Sequence, residues 1–276
     1  MTADDQAGGR DRLVPSPVFV LSTMRSGSTL LRMMLDSHSM IRAPHELHLR
    51  ALEVSYREFY ARRAMEKIGA DTTELEYLLW DRLLHRELTR SGKSIIAEKT
   101  PGNVLCWRRL REAWPEARYI FLLRHPVSVL SSWLDSSQSQ WSGMMQVLLG
   151  QPRPGGQEAG GQPGADAAAL GLKLVCEYAE GVDEARRELP GLTVRYEDLT
   201  AGPAERTRQI CAFLGVPWEA GMLEYGKQDH GGFEVFMGDF SDKIKSGMVQ
   251  GGRPLPRAGE IPAELESVCR SWGYLS

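Results

Sequence analysis

No stretch of the chain approaches the roughly 20 consecutive apolar residues that a membrane-spanning helix requires. Residues 1–12 are polar and acidic, with no apolar centre of the kind a secretory leader carries. The expectation is a disordered tail over residues 1–14 and one domain over 15–276, with no membrane span. Basic residues are not in excess either: 33 Lys and Arg against 36 Asp and Glu leave a net charge of −3. That balance speaks against general nucleic-acid binding, which shows a basic surplus. Cysteine is scarce. Cys106, Cys176, Cys211 and Cys269 lie too far apart for a zinc site or a disulfide framework. Buried free thiols in a reducing, cytoplasmic setting are expected. Internal repeats are absent, as is any carboxylate cluster of the sort that holds Mg²⁺.

What is present centres on Val18-Phe19-Val20-Leu21, an apolar run that reads as a strand buried on both faces. It breaks at the small-residue turn Ser26-Gly27-Ser28. It resumes with Leu30, Leu31, Met33, Met34 and Leu35, spaced as the apolar side of a helix. Strand, tight turn and helix together aim backbone N–H groups and a helix dipole at an anion. Ser28 and Thr29 are placed to cap the helix, and Arg25 adds a permanent positive charge. A kinase-type phosphate loop would need a second glycine and a Lys-Ser/Thr pair. There is one glycine here, Gly27, and no lysine from Arg25 to Asp36.

Further along, Pro44 suits the first turn of a helix, with His45 and Glu46 at its N-terminus. Residues 47–89 read as helical, with Leu75, Leu78, Leu79, Leu83 and Leu84 on one face. Ser94–Ala97 is a short buried strand that ends in the charged pair Glu98-Lys99, and strand ends are where open α/β sheets keep their sites. A helix over 104–114 precedes the strand Arg118–Leu123, which runs into Arg124-His125-Pro126. Pro126 opens a helix carrying Ser132, eight positions beyond Arg124, so the two could grip one phosphate. The stretch 151–166 is rich in Gly, Pro and Gln and reads as a mobile lid or insertion. Helix 167–189, strand 192–196 and helix 205–214 follow. A glycine-rich segment with Lys243, Lys245, Arg253 and Arg257 then has the composition of a basic flap over an anionic ligand.

Taken in order, four segments resemble sulfotransferases that use 3′-phosphoadenosine 5′-phosphosulfate (PAPS). Met24–Leu31 is similar to the loop that holds the 5′-phosphosulfate, and Tyr119–Ser132 to the 3′-phosphate motif. Val194–Leu199 resembles the strand and turn whose tyrosine position, here Tyr196, lies near the nucleotide. Cys211-Ala212-Phe213-Leu214-Gly215 is similar to the helix end that follows. The likeness spans about residues 17–218. It implies an α/β fold, a central parallel sheet flanked by helices in a P-loop-like nucleotide-binding domain. It also implies in-line sulfuryl transfer from PAPS to a hydroxyl or amine, with 3′-phosphoadenosine 5′-phosphate (PAP) as product and no metal. The cofactor-binding residues it implies are Arg25, Ser26, Gly27, Ser28, Thr29, Leu30, Arg124, Ser132 and Tyr196, with Lys243 or Lys245 from the basic flap. The late Arg-Lys-Gly signature of cytosolic aryl and steroid sulfotransferases is missing. The tail over 238–247 looks closer to bacterial relatives, including those embedded in polyketide synthases. A small-molecule or carrier-bound acceptor, a natural product or carbohydrate, is the substrate class this implies.

Transfer needs charge on the departing oxygen, which Arg25 and Lys99 could supply, and a base for the acceptor's proton. Glu46 falls where tyrosyl-protein sulfotransferases carry their glutamate. Glu98-Lys99-Thr100-Pro101 resembles the Glu-Lys-Thr-Pro of heparan 3-O-sulfotransferases and makes Glu98 a second candidate; His45 is a third. A phosphotransferase using a metal and a nucleoside triphosphate, or an inert nucleotide-binding protein, would be the alternatives.

Overall fold

The computed structural model describes residues 12–137, 165–230 and 242–276. At its centre lies β1 (Val18–Ser22), buried at every residue. Its run of apolar residues divides by the two-residue period of a strand. Val18 and Val20 face one layer, with Leu31, Met34 and Leu35, while Phe19 and Leu21 face the other, with Tyr77, Trp80 and Trp114. β4 (Arg118–Leu123) runs parallel beside it, pairing Val20 with Ile120 and Leu21 with Phe121, and its side chains divide the same way. Each side chain so enclosed contributes about 1.5–3 kcal/mol by leaving water.

β3 (Ile95–Glu98) flanks β1 on the other side, and β2 (Ile41–Arg42) and β5 (Gly191–Arg195) form the edges. The order is β2-β3-β1-β4-β5 with every pairing parallel, the central sheet flanked by helices that the sequence suggests. From β1 the chain moves towards β2, and from β4 it moves the opposite way towards β5. The carboxyl edge between β1 and β4 is therefore the switch point at which such sheets take ligands.

The helices are α1 (Ser28–Asp36), α2 (Phe59–Lys67), α3 (Thr72–Ser91), α4 (Trp107–Ala113), α5 (Pro126–Ser137) and α6 (Ala165–Glu188). After β5 come α7 (Tyr196–Ala201), α8 (Pro203–Leu214), a tight 3₁₀ stretch Ala220–Lys227, α9 (Asp242–Lys245) and α10 (Ala263–Ser271). Several local expectations change. The pattern over 47–89 is not one helix: residues 52–58 are irregular, and Gly69 (φ +76°) separates α2 from α3. On α3 the buried face is Tyr77, Trp80 and Leu84, while Leu78 and Leu79 are 45% and 38% exposed, because the sheet lies against the aromatic side. No helix starts at Pro44; only a short 3₁₀ turn, Leu49–Ala51, follows. The tail's last residues are anchored: Arg12 donates to the Ala113 carbonyl (3.1 Å), and the Leu13 and Val14 amides donate to the Asp81 carboxylate (2.7 and 3.1 Å). Residues 1–11 and the insertion over 151–166, apart from its last two positions in α6, lie outside the described residues. Among the described residues no helix is long and apolar enough to cross a membrane.

α1 is buried on all sides, not along one stripe, because the 3₁₀ stretch Ala220–Lys227 packs along it. Asp36 fixes its far end. That carboxylate accepts from the Ala43 amide (2.8 Å), Arg42 (3.2 Å) and His230 (3.0 Å), with Lys93 3.8 Å away. Burial alone would raise its pKa, yet the His230 bond, the Ala43 amide and the charges of Arg42 and Lys93 hold it at about 2. A depressed carboxylate stabilises the fold above its ordinary range and loses that contribution as pH falls towards 2. Asp36→Asn is expected to cost about 2 kcal/mol at pH 7, the worth of such a shift. Urea unfolding should show the gap between wild type and variant closing between about pH 4 and pH 2.

Candidate active site

The loop between β1 and α1 carries two residues with left-handed backbone, Arg25 (φ +61°) and Gly27 (φ +87°). Gly27 occupies the N-cap position, so the cap is backbone geometry and not the Ser28 or Thr29 side chain. A Cβ on Gly27 would sit 2.3 Å from the Tyr196 ring, so only glycine fits at this approach. The hydroxyls of Ser22, Thr23 and Ser26 are buried with no hydrogen-bond partner among the described residues. Orphaned buried hydroxyls are uncommon and call for an explanation. Ser22 ends β1, and Thr23 and Ser26 lie in the turn that leads to the N-terminus of α1, whose dipole favours an anion.

The turn after β4 meets this loop. Arg124 donates to the Arg25 carbonyl (2.7 Å), and Arg25 Nε donates to the Ser132 hydroxyl on α5 (3.3 Å). The Arg124 guanidinium lies 4.6 Å over the Tyr196 ring, the ring that abuts Gly27. Arg25, Gly27, Arg124, Ser132 and Tyr196 are thus brought together from three separate segments. They line a cleft of about 270 Å³ with Leu30, Tyr225, Lys243, Ile244, Met248, Gln250 and Arg253. Four cations, Arg25, Arg124, Lys243 and Arg253, face this space. Burial, joined by the like charges of Arg25 and Arg253, pushes the Arg124 guanidinium down from its ordinary value. Cations crowded in this way form a ready site for a polyanion.

The far wall of the cleft is residues 243–253. Its attachment is the crossing of Gly226 and Gly247, where the Gly226 amide donates to the Gly247 carbonyl (3.1 Å) and a Cβ on Gly226 would fall 2.4 Å from the Gly247 Cα. The Tyr225 hydroxyl donates to the Met248 carbonyl (3.0 Å), and Arg253 pairs with Asp135 of α5 (2.7 Å). Of the basic residues expected here, Lys243 lines the cleft, while Lys245 is exposed and does not. Arg253 is the residue that sequence reasoning left without a role. Its membership of the basic segment was visible, but its place opposite Arg124 was not. Glu197 is another: it accepts from the His125 amide (3.0 Å) and the Tyr274 hydroxyl (2.6 Å), and so pins the turn that carries Arg124.

The second group lies at the end of β3. Lys99 is 1% exposed and pairs with Glu46, whose other oxygen is 3.5 Å from His48. Burial pushes the Lys99 ammonium down from the ordinary lysine range, and the Glu46 carboxylate opposes that shift. Glu46 retains 12% side-chain exposure. Glu98 retains none. It accepts from the Leu47 amide (3.2 Å), the Thr100 hydroxyl (2.7 Å) and the Asn103 amide, and burial pushes its pKa up. His45 is exposed and its Nδ1 donates to the Glu46 carbonyl (3.1 Å). The expected placement of Glu46 at a helix N-terminus does not hold, because Glu98 and Thr100 take up the amides of Leu47 and His48. A lysine, not a helix dipole, faces its carboxylate.

Residues 17–220, most of the chain, match the sequence model of the Sulfotransferase family. The chain belongs to that family. Among curated relatives, the chain is 29% identical over 227 residues to the nodulation protein NoeE of Sinorhizobium fredii, covering 73% of this chain and 50% of NoeE. It is 22% identical over 232 residues to protein-tyrosine sulfotransferase 1 of Danio rerio, covering 75% of this chain and 55% of the relative. The chain spans about half the length of these relatives. Among solved structures, the fold is similar to the sulfotransferase domain from the curacin biosynthetic pathway, with a TM-score of 0.63, 23% identity and 95% and 99% of the two chains covered. The sulfotransferase domain from the Synechococcus PCC 7002 olefin synthase gives a TM-score of 0.63 at 22% identity, covering 96% and 98%.

Proposed function

We propose that this sulfotransferase moves a sulfuryl group from PAPS to a hydroxyl or amine of a small-molecule or carrier-bound acceptor and releases PAP. The observation that carries the reading is the cationic cleft at the sheet's switch point. It unites a glycine turn, a helix N-terminus and the cations Arg25, Arg124, Lys243 and Arg253. The fit to a nucleotide with two phosphate positions rests on that charge and on the orphaned hydroxyls of Ser22, Thr23 and Ser26. In this reading Arg25, Ser26, Gly27, Ser28, Thr29 and Leu30 hold the 5′-phosphosulfate. Arg124 and Ser132 hold the 3′-phosphate with help from Arg253 and Lys243, and Tyr196 lies beside the nucleotide.

The new S–O or S–N bond forms as the S–O bond to the 5′-phosphate breaks, and the acceptor's proton goes to the Glu46 carboxylate. Arg25 and Lys99 offset the negative charge gathering on the departing oxygen. Glu46 is favoured as base over Glu98 because it keeps solvent access, whereas Glu98 is sealed and fully engaged. The four free cysteines favour a reducing compartment, the cytoplasm, as the place of reaction.

Calorimetric titration tests the reading: PAP should bind, and ATP with Mg²⁺ should bind at least tenfold more weakly. Tighter binding of ATP–Mg²⁺ would point to a phosphotransferase, and no binding of either to an interaction protein. Incubation with sulfur-labelled PAPS and a metabolite extract should then transfer label to an acceptor.

A further inference from the structure

Glu98 is the candidate acid for which the transfer reaction, as read above, has no use, yet it is wholly buried next to Lys99. Its Oε1 accepts from the Leu47 amide (3.2 Å) and from the Thr100 hydroxyl (2.7 Å). The Thr100 oxygen in turn accepts from the His48 amide (3.2 Å). Its Oε2 accepts from Asn103 Nδ2. One side chain at the end of β3 therefore holds the backbone of the two residues after Glu46, while the residue that follows β3, Lys99, holds the Glu46 carboxylate itself. Residues 43–48 have no helix or strand of their own to fix them, so these bonds set where Glu46 stands.

We propose that Glu98 is a positioning residue that fixes the Glu46 segment against Lys99 by accepting the Leu47 amide directly and the His48 amide through Thr100. The inference rests on reading Glu46 and Lys99 as the reacting pair. The role needs acceptor oxygens at fixed points and no transferable proton. Asn103 makes that distinction testable: its Oδ1 is buried with no partner, so its amide can turn over and present an acceptor in place of a donor. A glutamine at 98 can then keep both Oε1 bonds and donate its own Nε2 to Asn103 Oδ1. An alanine leaves the Leu47 amide, the Thr100 hydroxyl and the Asn103 amide without their acceptor.

The experiment reads amide hydrogen exchange at Leu47 and His48 by NMR in the full chain, with β1 amides as the internal reference. Glu98→Gln should leave both amides within about threefold of wild type relative to the reference. Glu98→Ala should accelerate both by tenfold or more, with PAP affinity changed less than threefold. Should Glu98→Ala fail to fold, Thr100→Val serves: it removes only the relay, so His48 should loosen tenfold or more while Leu47 does not. Where an acceptor is in hand, turnover should follow the same order, with Glu98→Gln rescuing what Glu98→Ala loses. The proposal is overturned if Glu98→Gln frees the amides as much as Glu98→Ala does. It is also overturned if Thr100→Val leaves His48 unchanged, or if Glu98→Gln abolishes turnover with the amides still protected, which would make Glu98 the base. Failure of wild type to bind PAP would defeat the sulfotransfer reading alone, since the exchange pattern needs no nucleotide.

Discussion

Glu46→Gln is expected to lower kcat by on the order of 10²–10⁴-fold, the scale on which a positioned general base contributes. The substitution keeps the side chain's shape and its hydrogen bond to Lys99 but removes the proton acceptor. It also removes the charge that favours the buried Lys99 ammonium, so the lysine's pKa should move further down in the variant. Both consequences act at the reacting centre, and neither Glu46 nor Lys99 is among the residues that line the cationic cleft. PAP affinity should therefore stay within a few-fold of wild type by calorimetry. Single-turnover transfer from labelled PAPS separates chemistry from product release and is the measurement to make. A variant that keeps most of its single-turnover rate would show that Glu46 is not the base and return the question to His45 or Glu98.

Arg124→Ala is expected to weaken PAP binding by about 2–4 kcal/mol, the cost of losing a partly buried, charge-assisted contact to phosphate. That is about 30- to 1,000-fold in Kd. Adenosine 5′-phosphosulfate has no 3′-phosphate, and its affinity should change far less. The contrast between the two ligands is the test. Arg124 also donates to the Arg25 carbonyl and lies over Tyr196, so a general disturbance of the loop would weaken both nucleotides alike. Equal losses would sink the assignment of Arg124 to the 3′-phosphate. Arg253→Ala offers the graded companion: its charge is exposed and shared with Asp135, so its loss should be smaller and more sensitive to salt.

Some of this protein was determined by sequence alone. The central strand, the glycine turn and the helix that follows it are written in contiguous residues, because strand period, turn chemistry and helix period are local properties of the chain. The same holds for β4 and the Pro126 helix start, which put Arg124 and Ser132 on one short segment, although the residue bonded to Ser132 is Arg25. Whole-chain order then pointed to the parallel sheet, since strands alternating with helices leave few other arrangements. The helix expected from Pro44 failed for a reason no local pattern carries. The amides that would have begun it are held by Glu98 and Thr100, some 50 positions away in the chain.

The same distance explains why sequence left three candidates for the base. Glu46, Glu98 and His45 are equally acidic or basic as letters, and their roles diverge only through burial and neighbours. The sheet order pairs β2 with β3 and so brings Glu46, just beyond β2, to Lys99, just beyond β3, while Glu98 is wholly buried and His45 is left in solvent. Arg253 is likewise one basic residue among several until the Gly226–Gly247 crossing lays its segment over the cleft. Sequence determined which elements form and where anion-binding chemistry begins. Tertiary structure decided which charges meet, because electrostatic partnership depends on separation in space and on exclusion of water, and neither is a property of neighbouring residues.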